Sequence, residues 1–291
     1  KANDPDAAHN HVSTAVVGMR GGVGASTLAT SLSWYFASKK NLQTGLLDLD
    51  VHFGTGALAL DLEPGRGLTD AIDNPSRIDG LFIERAMIRA HDNLSILSAE
   101  APINAPLMTD GAAFLQLEEE FRQAFEMSVI DLPRSMLITY PHLLNEVNVV
   151  VVAVEMTLAS ARDAIRILSW LKSYAAHAVP IVVANKVQTG ALEISKADFE
   201  ASIERPIDFS IPFDQKTAAN AAKLGQAFIE ANATSKPASV IKALGERIIG
   251  ASEEDAQGED APHAGKKSLL GSFDLKSLLA KKTKPVPATA E

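Results

Sequence analysis

At 291 residues with 46% apolar side chains, the chain has enough material for one large α/β core, and its formal charge of −9 argues against broad non-specific binding to nucleic acid. The absence of cysteine excludes a disulfide framework and a thiolate metal site, and the seven histidines are scattered without metal-ligand spacing. No stretch approaches the about 18 apolar residues that span a bilayer and no charged-then-apolar leader opens the chain, so a cytoplasmic protein is expected.

Residues 1 to 11 are polar and aperiodic and are read as a disordered segment. Val12 to Val17 has the composition of a buried strand, and Ser26 to Lys40 carries apolar residues at helical spacing. Between them lies Gly18-Met19-Arg20-Gly21-Gly22-Val23-Gly24-Ala25-Ser26-Thr27, a glycine-rich strand-to-helix turn of the kind that cradles phosphate on backbone N–H groups. Ser26 stands where a hydroxyl would hold Mg²⁺ next to the β- and γ-phosphates of ATP. Two positions depart from G-x-x-x-x-G-K-[ST]: Met19 replaces the first glycine and Ala25 replaces the lysine that normally neutralises the phosphates. Arg20, at the head of the loop, is the nearest charge available to compensate.

Thr44 to Asp50 reads as a second strand ending in two acids. Short helices are predicted near Gly56 to Leu62, Leu68 to Ile72 and Ile78 to Ala86, with a strand at Asn93 to Ser98. Leu107 to Phe125 is predicted as a helix with Phe114, Leu115, Phe121 and Phe125 facing the sheet and Glu118 to Glu120 facing water. Met127 to Leu132 is an apolar strand whose Asp131 fits a Walker B carboxylate, the residue that holds Mg²⁺ through a water. Arg134, after Pro133, could face nucleotide phosphates or a partner.

The valine run Val147 to Val154 is the pattern of a central parallel strand buried on both faces. Thr157 to Tyr174 follows as a helix with Ala161, Ile165, Leu168 and Leu171 on one side and Arg162, Asp163 and Arg166 near its polar side. Val179 to Ala184 is a further buried strand ending in Asn185-Lys186, where an amide can hydrogen-bond a purine edge. Glu193 to Ile203 is helical, Ile207 to Ile211 is a short strand leading into Pro212, and Lys216 to Asn232 and Lys236 to Ile249 supply the last helices. This alternation over residues 12 to 250 predicts a mostly parallel doubly wound sheet with helices on both faces and the ligand at the strand C-terminal ends.

The end of the chain differs in kind. Residues 251 to 265 hold five acids with Gly, Pro and Ala and are read as a flexible linker. Residues 266 to 284 hold six lysines and Leu269, Leu270, Phe273, Leu275, Leu278 and Leu279, a basic amphipathic pattern that would suit an anionic membrane surface or a partner's groove.

The loop Arg20-Gly21-Gly22-Val23-Gly24-Ala25-Ser26-Thr27 resembles the deviant Walker A motif K-G-G-x-G-K-[ST] of the MinD/ParA superfamily. Together with Asp-Leu-Pro-Arg at 131 to 134, it is similar to the CpaE/TadZ branch that assembles and localises Flp-type pili. The resemblance covers residues 12 to 250. It implies a P-loop fold, ATP and Mg²⁺ as ligands, and an ATP-dependent homodimer in which Arg20 crosses to the partner's phosphates, as the leading lysine does in the superfamily. It further implies a role for Asp50 in placing the attacking water or the Mg²⁺ shell, with Asn185 and Pro212 at the adenine. Partners would be components of the pilus secretion machinery, met at the inner membrane or a cell pole. Members of the branch often carry a receiver-like domain ahead of the ATPase-like one, which here would precede Lys1. Because Ala25 replaces the lysine, weak or absent hydrolysis is expected; the rival reading is an active ATPase of DNA partitioning or of septum or flagellum positioning.

Overall fold

A computed structural model of the chain describes residues 11–188, 190 and 194–258. The described residues up to Glu254 belong to one compact unit organised around a single eight-stranded sheet. Its strands are β1 (Val12–Gly18), β2 (Thr44–Asp48), β3 (Ile88–His91), β4 (Leu94–Leu97), β5 (Met127–Asp131), β6 (Val149–Val154), β7 (Val179–Val187) and β8 (Phe209–Pro212), in the order β3-β4-β2-β5-β1-β6-β7-β8. All neighbours pair in parallel except β3, which runs antiparallel to β4 at one edge. β3 is not legible in the sequence because it is only four residues long, too short for a period-2 pattern to stand out.

The helices are α1 (Ala25–Lys39), α2 (Gly67–Asp73), α3 (Gly80–Ala86), α4 (Ala112–Ala124), α5 (Met136–Thr139), α6 (Leu158–Tyr174), α7 (Lys196–Ile203), α8 (Gln215–Leu224), α9 (Phe228–Ala231) and α10 (Lys236–Gly258). Side chains on a strand alternate between faces, and the two layers of core follow that period. Val16, Val149, Val151 and Ala153 pack with Leu28, Leu32 and Phe36 of α1 and with Ile241, Leu244 and Ile248 of α10. Val17, Val150, Val152 and Val154 pack with Phe114 and Leu117 of α4, Leu168 and Leu171 of α6, and Phe199 of α7. The valine run is thus buried on both faces in the centre of the sheet, as its composition predicts.

Several expected boundaries move. The helix expected from Leu107 starts at Ala112, because Gly111 takes a left-handed φ of +89° at its N-cap. Leu115 is exposed and Leu117 takes its place in the core, while Glu118, expected in water, has both carboxylate oxygens buried. In α6 the buried series is Ala161, Ala164, Leu168 and Leu171, and Ile165 is exposed. The single helix expected from Lys216 to Asn232 breaks at Gly225, left-handed at φ +58°, into α8 and α9. α10 continues through residues 251 to 258, the first part of the stretch read as a linker.

At the other end, His11 is not part of a loose segment, since its ring nitrogen bonds Phe125 O at 2.8 Å. Residues 1–10, the remainder of the linker and the basic tail at 266 to 284 lie outside the described residues. Among the described residues no helix is long and apolar enough to cross a membrane.

Candidate functional site

Three local constraints build the β1–α1 turn. Met19, in the first glycine position of the loop pattern, is fully buried, and its N–H bonds Ala153 O at 2.9 Å, so the chain leaves β1 still tied to β6. Gly22 and Gly24 adopt φ of +77° and +92°, which a Cβ disfavours. At Gly24 a Cβ would also stand 2.5 Å from Asn185 Nδ2, whereas at Gly21 and Gly22 it would meet only open space. α1 then begins at Ala25 with no side chain capping it.

The N–H groups of Gly21, Gly22, Gly24, Ala25 and Ser26 make no hydrogen bond among the described residues. They border a cleft of about 620 Å³ that also holds Arg20, Val23, Thr27, Asp50, Asp131, Arg134 and Lys186. Consecutive free N–H donors at a helix N-terminus, in a turn with left-handed glycines, form a concave nest for an anion. The chemistry of the donor set therefore fits a polyphosphate.

Three cations border this nest. Arg20 Nη1 lies 3.3 Å from Asp163 Oδ2 of α6 in the same chain, with half its side chain exposed. Arg134 Nη1 donates to Met19 O at 2.9 Å and so braces the loop from the β5 side. The Lys186 ammonium donates to Gly22 O and stands 3.1 Å from Glu155 Oε1. Of these, Lys186 has no charged role in the sequence reading. What brings it over the loop is a bulge in the β7–β8 pairing between Ala184 and Val187 and a left-handed φ of +54°, neither of which composition announces.

The acids sit at the C-terminal ends of β2 and β5. Asp131 is buried and hydrogen-bonded with the Ser26 side chain; burial, reinforced by the nearby Asp48 carboxyl, pushes it up to about 7 against the Ser26 bond. Asp48, which the sequence reading passes over for Asp50, is also buried and pushed up by desolvation, while N–H groups of Gly56 at 2.8 Å and Asp50 at 3.2 Å favour its charged form. Asp50 lies past the end of β2 on the cleft wall and accepts the N–H of Phe53 at 3.1 Å. Among the described residues no three Asp, Glu or His side chains are grouped to hold a metal by themselves. Ser26 and Asp131, hydrogen-bonded to each other, are oxygen donors of the kind Mg²⁺ takes alongside waters and phosphate oxygens.

Asn185 and Pro212 meet at an adjoining pocket of about 80 Å³ with Gly24, Thr27, Ile211 and Phe213. Asn185 Nδ2 donates to Val23 O at 2.8 Å and its Oδ1 accepts the Lys186 N–H at 2.9 Å, so this amide also anchors the glycine-rich loop. Arg20, Gly21, Gly22, Val23, Gly24, Ala25, Ser26, Thr27, Asp50 and Asp131 thus converge on one cleft, and Asn185 and Pro212 on its neighbour.

No protein-family model and no curated protein sequence matches this chain. Solved structures do match. A ParA family ATPase from Chlorobium tepidum superposes with a TM-score of 0.74 at 17% identity, covering 81% of this chain and 98% of its own. The cell division ATPase MinD of Pyrococcus furiosus gives a TM-score of 0.69 at 20% identity over 82% and 98% of the two chains. The septum site-determining protein MinD of Pyrococcus horikoshii, solved with Mg-ADP, gives 0.65 at 15% identity over 87% and 99%.

Proposed function

We propose that this chain, whose fold is that of the MinD/ParA ATPases, binds ATP with Mg²⁺ at the cleft above α1, that the bound nucleotide joins two copies, and that hydrolysis is weak or absent. The observation that carries this reading is the loop itself: a nest of free N–H donors over Ser26 and Asp131, with a methyl group at Ala25 in place of an ammonium. Backbone donors hold a ground-state polyphosphate, whereas removing one preorganised charge from the developing transition state costs on the order of 3 kcal/mol. Binding therefore survives better than turnover.

Within that reading, ATP acts as an assembly signal for the Flp-type pilus secretion machinery at the inner membrane or a cell pole, supported by the Asp-Leu-Pro-Arg and Arg-Gly-Gly-Val-Gly-Ala-Ser-Thr sequences. DNA is not expected to bind, given the charge of −9. The test is to size the protein with and without Mg-ATP while following phosphate release at saturating nucleotide. A nucleotide-dependent dimer with little release supports the proposal; turnover of about one per second or faster, the range of ordinary enzymes, contradicts the weak-hydrolysis part. An ATP-dependent shift of non-specific DNA in a gel contradicts the pilus reading.

A further inference from the structure

We infer that Lys186 supplies, from the end of β7, the positive charge that Ala25 withholds from the phosphate loop, and that nucleotide affinity depends on it. The inference rests on the ATP reading above. Position 25 begins α1 and carries only a methyl group, so no charge rises there from below the phosphates. Lys186 comes from the opposite wall. Its left-handed backbone, placed by the β7–β8 bulge, aims the side chain across the nest so that the ammonium rests on Gly22 O, one of the loop's own carbonyls.

An ammonium has three N–H donors, and two have partners here, Gly22 O and Glu155 Oε1. The third has no partner among the described residues, and the side chain lines the cleft. Lys186 is a constituent of both the phosphate cleft and the smaller pocket with Asn185 and Pro212, so it lies where the two meet. Arg20 pairs with Asp163 on α6 and Arg134 donates to Met19 O, and of the three cations Lys186 alone lines both pockets. Glu155 opposes Lys186, since its carboxylate holds the ammonium that phosphate oxygens would otherwise recruit. Charge at position 186 and charge at position 25 are therefore alternatives for one role.

That equivalence is what calorimetry with Mg-ATP tests on the full chain. Lys186→Gln is expected to weaken binding about tenfold or more, the loss of one charge-assisted contact. Ala25→Lys is expected to recover most of that loss in the Lys186→Gln background and to gain much less in the wild type. Glu155→Gln, which frees the ammonium, is expected to tighten binding several-fold; a lysine that merely clamps Gly22 predicts weaker binding instead. Wild-type affinity retained in Lys186→Gln, or an Ala25→Lys effect equal in both backgrounds, overturns the inference while leaving ATP binding intact. Absence of any heat with the wild type overturns the ATP reading itself.

Discussion

Asp48 and Asp131 are register partners on the adjacent parallel strands β2 and β5, so two buried carboxyls stand side by side at the C-terminal ends of two interior strands, next to the cleft above α1. The pair is not symmetric. Asp131 turns to Ser26, whereas Asp48 turns to the backbone of the segment from Asp50 to Gly56. That segment folds tightly over it: a Cβ on Gly54 would meet Asp48 Oδ2 at 2.6 Å, and one on Gly56 would meet it at 3.0 Å. Asp48 thus fixes the wall that carries Asp50.

Asp48→Ala is expected to destabilise the protein by about 1–3 kcal/mol, because the Gly56 N–H then loses its acceptor in a buried setting. Asp48→Asn keeps one acceptor oxygen and should lose less. Urea unfolding reads both, and a midpoint for Asp48→Ala equal to wild type would refute this role.

Why Asp50 rather than Asp48 draws attention in the sequence is a matter of register. Both acids are in the same Asp-Leu-Asp run and both have the parity of one sheet face, but only strand pairing reveals which lies beside Asp131. The same limit explains Lys186, whose position depends on a bulge between two strands distant in sequence. By contrast the glycine-rich turn between β1 and α1, the valine strand and most of the β/α alternation are local patterns, and these are legible in the sequence. Glu118 shows the remaining kind of error. A run of three glutamates reads as solvated, yet the helix phase carries the first of them inward, one position after Leu117.

At Gly24 two penalties coincide, and they can be separated. Gly24→Ala places a Cβ at φ +92° and drives it into Asn185 Nδ2. The backbone part alone is worth about 1–2 kcal/mol, and the clash adds to it. Asn185→Ala removes the clash along with the bond to Val23 O. The double variant should therefore melt higher than the sum of the two single losses predicts, whereas strict additivity in thermal unfolding would show that Asn185 does not confine the loop.

Arg20 offers a contrast between stability and assembly. Its pair with Asp163 is half exposed at 3.3 Å, the type of ion pair that contributes about 0–1 kcal/mol. Arg20→Ala should leave the melting temperature nearly unchanged and retain nucleotide binding. If the guanidinium swings from Asp163 to the partner's phosphates, the variant should remain monomeric with Mg-ATP on a sizing column. Dimerisation equal to wild type would assign Arg20 to its own subunit.

Glu118 predicts a pH effect whose sign can be worked out. Its carboxyl lies in a cavity of about 20 Å³ with His11, Arg122 and Glu146, and burial, aided by the Glu146 charge, pushes it from 4.5 to about 8. Between those values the folded protein keeps a proton that the unfolded chain has released, so stability falls as pH rises from about 4.5 to about 8. Asp48 and Asp131 slope the same way, and His11, held below its ordinary value by burial, slopes the other way at lower pH. The difference between wild type and a Glu118→Gln variant cancels those shared contributions. Near pH 8 the variant should be the more stable by on the order of 2 kcal/mol, and the gap should shrink toward the acid end of the window. Arg122 does not remove the effect, because its guanidinium is already paired with Glu119 on the outer side of α4. Stability curves for the two proteins that run parallel from pH 4.5 to 8 would mean that the Glu118 carboxyl titrates as it does in water, and that its burial costs the fold nothing.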